Sequence, residues 1–340
     1  MSHRPRVSVV IPTWNGRALL DLVMPSLERQ RYRDFETIVV DNGSTDGTTE
    51  HARERWPWAE LVVLPANVGF AAGVNRGIER ARGEYVALVN NDMELDPAFL
   101  GELVTALDAA PQAAAATAKM LGLDDRGIID GTGDMLRWSG VVMPRGRGER
   151  DGGQYNEPAE VFSACGGAAL YRTAAFEEVG LFDEAFFAQM EDVDWGFRAR
   201  LLGYGCRYAP GAVAYHMGSA SMRREGRPDP WFWGLPVRNC IWMWIKNYPR
   251  DCLLRNAHLL LAHELAGLYF AAREGMTRAQ LRAWRDALGG LPRVLRQRRE
   301  IQARRRIGRR ELEPVIAREV VSWRRLGAFA RHGRPQPGER

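Results

Sequence analysis

Five short apolar runs alternate with helical segments over the first 120 residues, and this alternation limits the possible folds more than any other feature. The β-branched runs occupy residues 6–11, 35–40, 61–64, 85–89 and 114–120. Runs of this length, separated by amphipathic segments such as residues 17–30, are typical of strands covered by helices on both faces. The sequence therefore predicts an α/β fold with a mainly parallel sheet.

Polar clusters follow three of the predicted strands at the points where they end. PTWNG follows the first strand, DNGSTDG the second and NNDMELD the fourth. Ligands of open parallel sheets bind outside the carboxyl ends of the strands, so these clusters mark the expected site. DNGSTDG can equally be an Asx turn and helix cap.

Gly69, Gly73 and Gly77 follow at intervals of four residues in NVGFAAGVNRGI. On a helix this spacing makes a smooth stripe, which allows either close helix packing or close approach of a ligand to the backbone. The stripe differs from the GxGxxG dinucleotide fingerprint, and the sequence contains no GK[ST] phosphate loop.

The first acidic cluster, NNDMELDP, favours a metal site. In an extended segment Asp92 and Glu94 project to the same side, and carboxylates suit Mg²⁺ or Mn²⁺, whose remaining ligands come from phosphate and water. The alternative is a solvated turn before a helix that starts near Pro97. Asp92 is the metal candidate, Asp96 fits the helix cap, and Glu94 is left unassigned.

The second acidic cluster, MEDVDWGFR, places Glu191, Asp192 and Asp194 at the start of a predicted helix. The helix dipole favours negative charge there, so a purely structural role competes with catalysis. His216 ends a later strand in AYHMGSAS, and it gains functional weight if the fold brings it near Asp92.

Composition indicates a soluble protein in a reducing compartment. Of its 340 residues, 46% are hydrophobic and 26% charged, and the four cysteines are far apart without CxxC spacing. The most apolar late stretch, residues 257–272, is broken by His258, His263 and Glu264, so it is too polar to span a bilayer. With no signal-peptide pattern at the start, we expect a cytoplasmic protein.

Seven ordered motifs together resemble family 2 inverting glycosyltransferases, in the branch that includes bacterial rhamnosyltransferases. They are VSVVIPTWNG, IVVDNGSTDGT, NVGFAAGVNRGI, ALVNNDMELDP, CGGAALYR, FFAQMEDVDWGFRAR and AYHMGSAS, within about residues 6–220. The resemblance implies a GT-A catalytic domain over residues 1–225, with a nucleotide half (about 1–120) and an acceptor half (about 121–225). It also implies transfer of a sugar, with L-rhamnose the first candidate, from a dTDP- or UDP-sugar to a cell-surface glycan or lipid-linked acceptor.

The same resemblance implies a role for each matching residue. Asn90-Asn91-Asp92 takes the place of the DXD motif, so Asp92 binds the Mg²⁺ or Mn²⁺ ion and His216 reaches that metal or the diphosphate. Asp192 is the general base, with Glu191 beside it. The implied nucleotide and donor contacts are Thr13, Asn15, Asp41, Gly69, Asn75 and Asn91, and the implied acceptor-side residues are Trp195, Gly166 and Gly167.

These roles agree with the chemistry of inverting transfer, which needs one carboxylate to take the acceptor's proton and a cation to stabilise the leaving diphosphate. Asn90 departs from the family because many relatives have a carboxylate at this position. One negative charge fewer predicts weak metal affinity, with the metal binding together with the donor.

Residues 226–340 change to a Trp-rich and then Arg-rich composition, ending in a predicted flexible tail. The tryptophans favour either a bilayer interface on the inner face of the plasma membrane, with the arginines attracting anionic lipid, or a helical core packed on the catalytic domain. Arg238 is a candidate contact for a lipid pyrophosphate. Nucleic-acid binding is not expected, since no known binding module accompanies the charge.

Two other functions compete with the glycosyltransferase. A sugar nucleotidyltransferase carries a Gly-rich loop with Arg or Lys after its first strand, and PTWNGRALL does not match that pattern. A catalytically inactive binding module would not need Asp41, Asp92, Asp192 and His216 together, so their joint presence argues against it.

Overall fold

The computed structural model describes residues 4–218, 223–224 and 227–317. The strands are β1 (Val7–Thr13), β2 (Phe35–Asp41), β3 (Glu60–Val63), β4 (Tyr85–Val89), β5 (Met93–Leu95), β6 (Ala113–Gly122), β7 (Ile129–Gly131), β8 (Asp134–Leu136), β9 (Val142–Pro144), β10 (Ala159–Glu160), β11 (Ala168–Arg172), β12 (Gly205–His216), β13 (Arg223–Arg224) and β14 (Arg227–Pro228).

The helices alternate with the strands at first and dominate after residue 229. They are α1 (Arg17–Glu28), α2 (Thr48–Arg55), α3 (Phe70–Ile78), α4 (Phe99–Asp108), α5 (Thr173–Val179), α6 (Glu191–Leu201), α7 (Pro230–Asn247), α8 (Arg250–Arg273), α9 (Thr277–Gly289), α10 (Leu291–Arg304) and α11 (Arg309–Leu312), with a 3-10 turn at Glu184–Phe186. Three predicted features involve residues outside the described ranges. They are the boundary near residue 225, the end of AYHMGSAS and the flexible tail.

A ten-stranded sheet runs in the order β10-β12-β6-β11-β4-β1-β2-β3, with β5 paired to β12 and β7 to β6. β1 lies between β2 and β4 and is parallel to both, whereas β11 is antiparallel to β4 and β6. The predicted α/β fold with a mainly parallel sheet is confirmed, and all five predicted strands are present. The weakly patterned region 121–160 forms short strands, including the β8–β9 hairpin.

Strand alternation divides the core between the two faces of the sheet. Val9 and Ile11 of β1 join one buried cluster, and Val10 joins the other. Gly77 of α3 lies against the second face, where an added Cβ would come within 2.3 Å of Val10. At this position the glycine stripe therefore serves close packing of the helix on the sheet.

The helix after β5 begins later than predicted. α4 starts at Phe99, and the Asp96 carboxylate accepts a hydrogen bond from the Ala98 N–H at 2.9 Å in the turn before it. Asp96 therefore stabilises the approach to the helix and does not cap it. Glu94 turns away from Asp92 and forms an ion pair with Arg126 at 2.6 Å.

The C-terminal helices form a third core with α6. Trp242 and Trp244 of α7 and Tyr248 just after it are at most 5% exposed, so the bilayer interpretation is wrong for these three rings and the packing interpretation holds. Only Trp231, at the start of α7, is 45% exposed. Among the described residues, no helix is long and apolar enough to cross a membrane.

A buried ionic network fastens these helices to the catalytic domain. The Lys246 ammonium of α7 contacts Asp183 at 2.7 Å and Asp194 of α6 at 3.0 Å, and its side chain is 1% exposed. Arg293 of α10 also pairs with Asp183, at 2.8 Å. Although burial alone would raise the pKa of Asp183, Lys246 and Arg293 lower it well below its usual range.

Candidate active site

The loops after β1 and β2 meet at the carboxyl edge of the sheet. The Asn15 N–H donates to the Ser44 hydroxyl at 2.8 Å, and the Asn15 side-chain oxygen accepts from the Thr45 N–H at 2.8 Å. The Asn91 amide after β4 donates to the Thr13 hydroxyl at 2.8 Å. Three polar clusters separated in sequence thus form one surface, as the parallel topology predicts.

Two predicted donor contacts are turned inward. Asp41 is fully buried, and its oxygens accept hydrogen bonds from the Ser44 N–H and the Thr49 hydroxyl, so it shapes the loop after β2; its contact with the nucleoside stays a prediction. Asn75 is 1% exposed, and its amide pairs with the backbone N–H and C=O of Phe182. Its hydrogen-bonding groups join α3 to the segment before α6, and its expected place beside the donor stays a prediction.

Two other residues lie at the same edge, next to the loops after β1 and β2. Gly69 begins α3 with φ of 92°, and an added Cβ would come within 2.6 Å of the Phe187 ring, so no larger residue fits. Trp14 is 51% exposed beside Asn15, although the sequence analysis assigned it no role. An exposed tryptophan at a ligand-binding edge is a candidate stacking surface for a planar base.

The predicted metal residues come together at the ends of β4 and β12. His216 Nε2 lies 3.3 Å from the Asp92 carboxylate, and the second Asp92 oxygen is buried without a hydrogen-bond partner. The Asn90 side-chain oxygen is likewise buried and unpartnered. Hard oxygens and an imidazole nitrogen of this kind fit a divalent cation such as Mg²⁺ or Mn²⁺.

The protein supplies few ligands to such an ion. Within the described ranges, no group of three or more His, Cys, Asp or Glu residues is arranged to hold a metal. Asp92 and His216 would therefore supply two ligands, and phosphate oxygens and water would complete the coordination.

Asp130 of β7 contacts the His216 ring on the side away from Asp92. The sequence did not indicate this partner. Its carboxylate lies 2.7 Å from His216 Nδ1, which leaves Nε2 directed at Asp92. Burial by itself lowers the pKa of His216, but hydrogen bonds to Asp130 and Asp92 outweigh it and raise the pKa to about 9. Asp130 lies in the weakly patterned region 121–160, where no strand signal marked it.

The predicted base, Asp192, lies in the first turn of α6. It is half-buried and accepts hydrogen bonds from the Gly166 and Val193 N–H groups, each at 2.8 Å. Burial raises the pKa of Asp192 despite these two hydrogen bonds. The neighbouring Glu191 and Asp134 are more deeply buried and lie near the Asp192 charge, which raises their pKa values well above the usual range.

Gly166 and Gly167 connect the metal candidates to the base. The Gly167 carbonyl accepts from the Asn90 N–H at 2.9 Å, while the Gly166 N–H donates to Asp192. An added Cβ on Gly167 would come within 2.8 Å of the Asn90 amide. The loop before β11 therefore links the segment after β4, which carries Asp92, to Asp192 in the first turn of α6.

Two residues predicted on the acceptor side, Trp195 and Arg238, make their contacts within the protein. Trp195 is 1% exposed, packs edge-on against Tyr171 and donates to the Gly180 carbonyl, so its ring lies in the core here and its place in an acceptor wall stays a prediction. Its helical position points it into the core beneath α6. Arg238 is half-buried and donates to the carbonyls of Ala185 and Phe186, so its guanidinium is already engaged within the protein.

The fold places the chain among GT-A glycosyltransferases. It aligns with GalNAc-T7 solved with UDP, GalNAc and Mn²⁺ at a TM-score of 0.59 and 15% identity, over 74% of this chain and 49% of that one. It aligns with Staphylococcus aureus TarS 1–349 in complex with UDP at a TM-score of 0.56 and 18% identity, over 88% and 87%. At such identities the likeness concerns the fold.

Sequence comparison defines the family. The family model "Glycosyl transferase family 2" matches residues 8–180, and the chain belongs to this family of enzymes. It is 31% identical over 244 residues to the N-acetylglucosaminyl-diphospho-decaprenol L-rhamnosyltransferase of Mycobacterium tuberculosis, covering 64% of this chain and 78% of that protein. It is 29% identical to the O-antigen biosynthesis protein RfbC of Myxococcus xanthus, covering 78% of this chain but 21% of that protein.

Proposed function

We propose that this glycosyltransferase inverts the anomeric centre as it moves a sugar from a nucleoside diphosphate to a hydroxyl of a glycan or lipid-linked acceptor. The observation that carries the proposal is the connection of the Asp92–His216 pair to Asp192 through Asn90, Gly167 and Gly166. A single displacement needs leaving-group stabilisation and a base, held at a fixed separation.

In this proposal Asp192 takes the proton. The acceptor hydroxyl forms a bond to the anomeric carbon as the bond to the diphosphate breaks, and the hydroxyl proton passes to the Asp192 carboxylate. The Gly166 and Val193 N–H groups hold that carboxylate in place. A carboxylate whose pKa is raised by burial is a stronger base than an exposed one.

Asp92 and His216 would hold the divalent cation, with Asp130 fixing the His216 ring. When bound, Mg²⁺ or Mn²⁺ supplies positive charge for the leaving diphosphate. As a ligand His216 would be neutral, with Nδ1–H donated to Asp130 and Nε2 free to face the cation. Thr13, Asn15, Asn91 and Gly69 border the donor side of this site.

L-rhamnose is the first candidate sugar. The mycobacterial relative is named for transfer of L-rhamnose to a diphospho-decaprenol acceptor, and its similarity extends over 78% of its length. The named acceptor of this relative supports an acceptor of the lipid-linked or cell-surface glycan class for the present chain. For the donor we propose a dTDP- or UDP-sugar.

A thermal-shift series tests the donor and the metal together. We expect UDP or dTDP to raise Tm in the presence of Mn²⁺ or Mg²⁺, and the metal alone to raise it little, because the protein supplies only Asp92 and His216. Asp92→Asn should remove the metal-dependent part of the shift. Full transfer activity in EDTA would refute the metal assignment, and equal shifts with and without nucleotide would refute donor-coupled binding.

We further propose that α8 places the enzyme on an anionic membrane surface, on the inner face of the plasma membrane. Leu254, Leu261, Leu265 and Tyr269 are 55–67% exposed and recur at intervals of seven and four residues along one face of α8. The exposed Arg255 and Arg273 lie on this helix. Apolar side chains with flanking arginines match a bilayer interface that carries negative lipid headgroups.

Sedimentation with vesicles tests this surface. The protein should bind phosphatidylglycerol-containing vesicles at low salt, and Leu261→Glu combined with Leu265→Glu should weaken binding by about tenfold or more, because two exposed leucines no longer enter the interface. The control is Trp58→Glu, which places a glutamate at a large apolar residue, 48% exposed, far from α8 in sequence. Equal losses in both variants, or no vesicle binding by the wild type, would exclude α8 as the membrane contact.

A further inference from the structure

The segment before α6 has a strained backbone. Phe187, Gln189 and Met190 have φ values of 65°, 70° and 71°, a region that side-chain-bearing residues rarely occupy. We call residues 186–190 the 186–190 loop. Met190 is the residue immediately before α6, so the strained loop leads directly into the turn that carries Asp192. Strain of this kind persists only where surrounding contacts impose it.

Those contacts come from α7. Asn239 is fully buried, and its amide nitrogen donates to three carbonyls of the loop: Phe186 at 3.0 Å, Ala188 at 3.0 Å and Gln189 at 2.8 Å. Arg238 donates to Phe186 from the other side at 3.0 Å, and its own Nε donates to the Asn239 oxygen at 3.0 Å. One buried amide thus reaches three carbonyls of this loop.

The other side of the loop faces the donor half of the site. The Phe187 carbonyl accepts from the Ala71 N–H at 3.0 Å in the first turn of α3, and the Phe187 ring covers Gly69. The 186–190 loop therefore touches the start of α3, the start of α6 and the side chains of α7. A displacement of the loop would change the distance between the donor side and Asp192.

We propose that Asn239, with Arg238 beside it, is a positioning residue that imposes the strained form of the 186–190 loop and so fixes Asp192 relative to the donor side. The inference rests on the proposed role of Asp192 as the base. It gives α7, outside the segment that the family model matches, a part in the geometry of the reaction. The same role explains why Arg238 points inward, since its guanidinium donates hydrogen bonds to the carbonyls of Ala185 and Phe186.

Amide hydrogen exchange tests the loop without any knowledge of the substrate. In Asn239→Ala, peptides that cover residues 184–193 should exchange about tenfold faster than in the wild type, because the loop loses its buried donor. The control is Asn256→Ala, which removes an amide-to-carbonyl hydrogen bond of 2.8 Å within α8 and should leave these peptides unchanged. Unchanged exchange in Asn239→Ala would overturn the proposal.

Kinetics then tests the connection to Asp192. We expect kcat to fall by about ten- to a hundredfold in Asn239→Ala while UDP affinity changes by less than about threefold, since misplacement affects the reacting atoms most. Arg238→Gln, a milder change at a half-buried residue, should show the same split to a smaller degree and serves if Asn239→Ala does not fold. A kcat within twofold of the wild type in the folded variants, or a parallel loss of UDP affinity, would refute the claim that Asn239 positions Asp192.

The two experiments distinguish a failure of the proposed function from a failure of the role proposed for Asn239. If the wild type transferred no sugar but the exchange difference was present, the loop-holding role of Asn239 would stand and the base assignment of Asp192 would fall.

Discussion

Asp192→Asn is expected to lower kcat by about 10²- to 10⁴-fold while UDP and metal affinity stay close to the wild-type values. Asparagine keeps the size of the side chain and can still accept the Gly166 N–H, but it cannot take the acceptor proton. The measurement is sugar transfer under saturating donor, together with calorimetric titration of UDP. A variant with wild-type turnover would exclude Asp192 as the base.

The pH dependence of the wild type belongs to the same prediction. Because burial raises the pKa of Asp192, and the base works ionised, kcat/KM should fall as the pH drops through a value above that of an ordinary aspartate. Asp134→Asn is the control. Burial and the nearby Asp192 charge raise the pKa of Asp134, and its carboxyl accepts from the Ser163 hydroxyl and not from the Gly166 N–H, so a neutral amide there should leave turnover nearly unchanged. An equal loss in both variants would mean that the carboxylates act as a pair.

Lys246→Met should lower the free energy of unfolding by about 3–5 kcal/mol, as expected when one partner of a buried ion pair is removed. The change removes the ammonium from between two buried carboxylates. Asp194, at a position with no solvent access, keeps Arg198 and Asn247, and Asp183 keeps Arg293 and Gln297. Urea denaturation at neutral pH measures the loss. Arg309→Ala removes a more exposed ion pair to Glu313 in the same helical region and should cost less than about 1 kcal/mol.

The Lys246 result also bears on how the chain is divided. Lys246 belongs to α7, Asp194 to α6 and Arg293 to α10, so the network crosses between the catalytic domain and the C-terminal helices. If both parts unfold in one transition, and Lys246→Met moves that transition as a whole, the helices stabilise the segment that presents Asp192. Two separate transitions, with only the later one affected, would contradict that coupling.

Local pattern was enough to locate most of the site. Strand ends predicted the position of Thr13, Asn15, Asn91 and Asp92, and these residues lie along one edge because parallel strands end together. His216 was assigned a metal role only through the resemblance, and the pairing of β12 with β5 brings it to Asp92.

Side-chain direction was beyond the reach of the sequence. Asn75 and Trp195 occupy the expected motifs, yet both point into the interior, because helix rotation on the sheet decides which face is covered. Asp130 and Asn239 could not be predicted from the sequence because neither belongs to a motif. Each acts through contacts with residues more than 45 positions away, and neither lies in a recognisable pattern.

The sequence by itself determined the sheet, its polar edge and the family, since these depend on periodicity and on residue types near strand ends. Tertiary structure alone decided which carboxylates face the site, which tryptophans are buried, and how α7 holds the loop before Asp192. The reason is physical: burial, hydrogen-bond partners and pKa shifts depend on the distances between segments, and those distances exist only after the chain has folded.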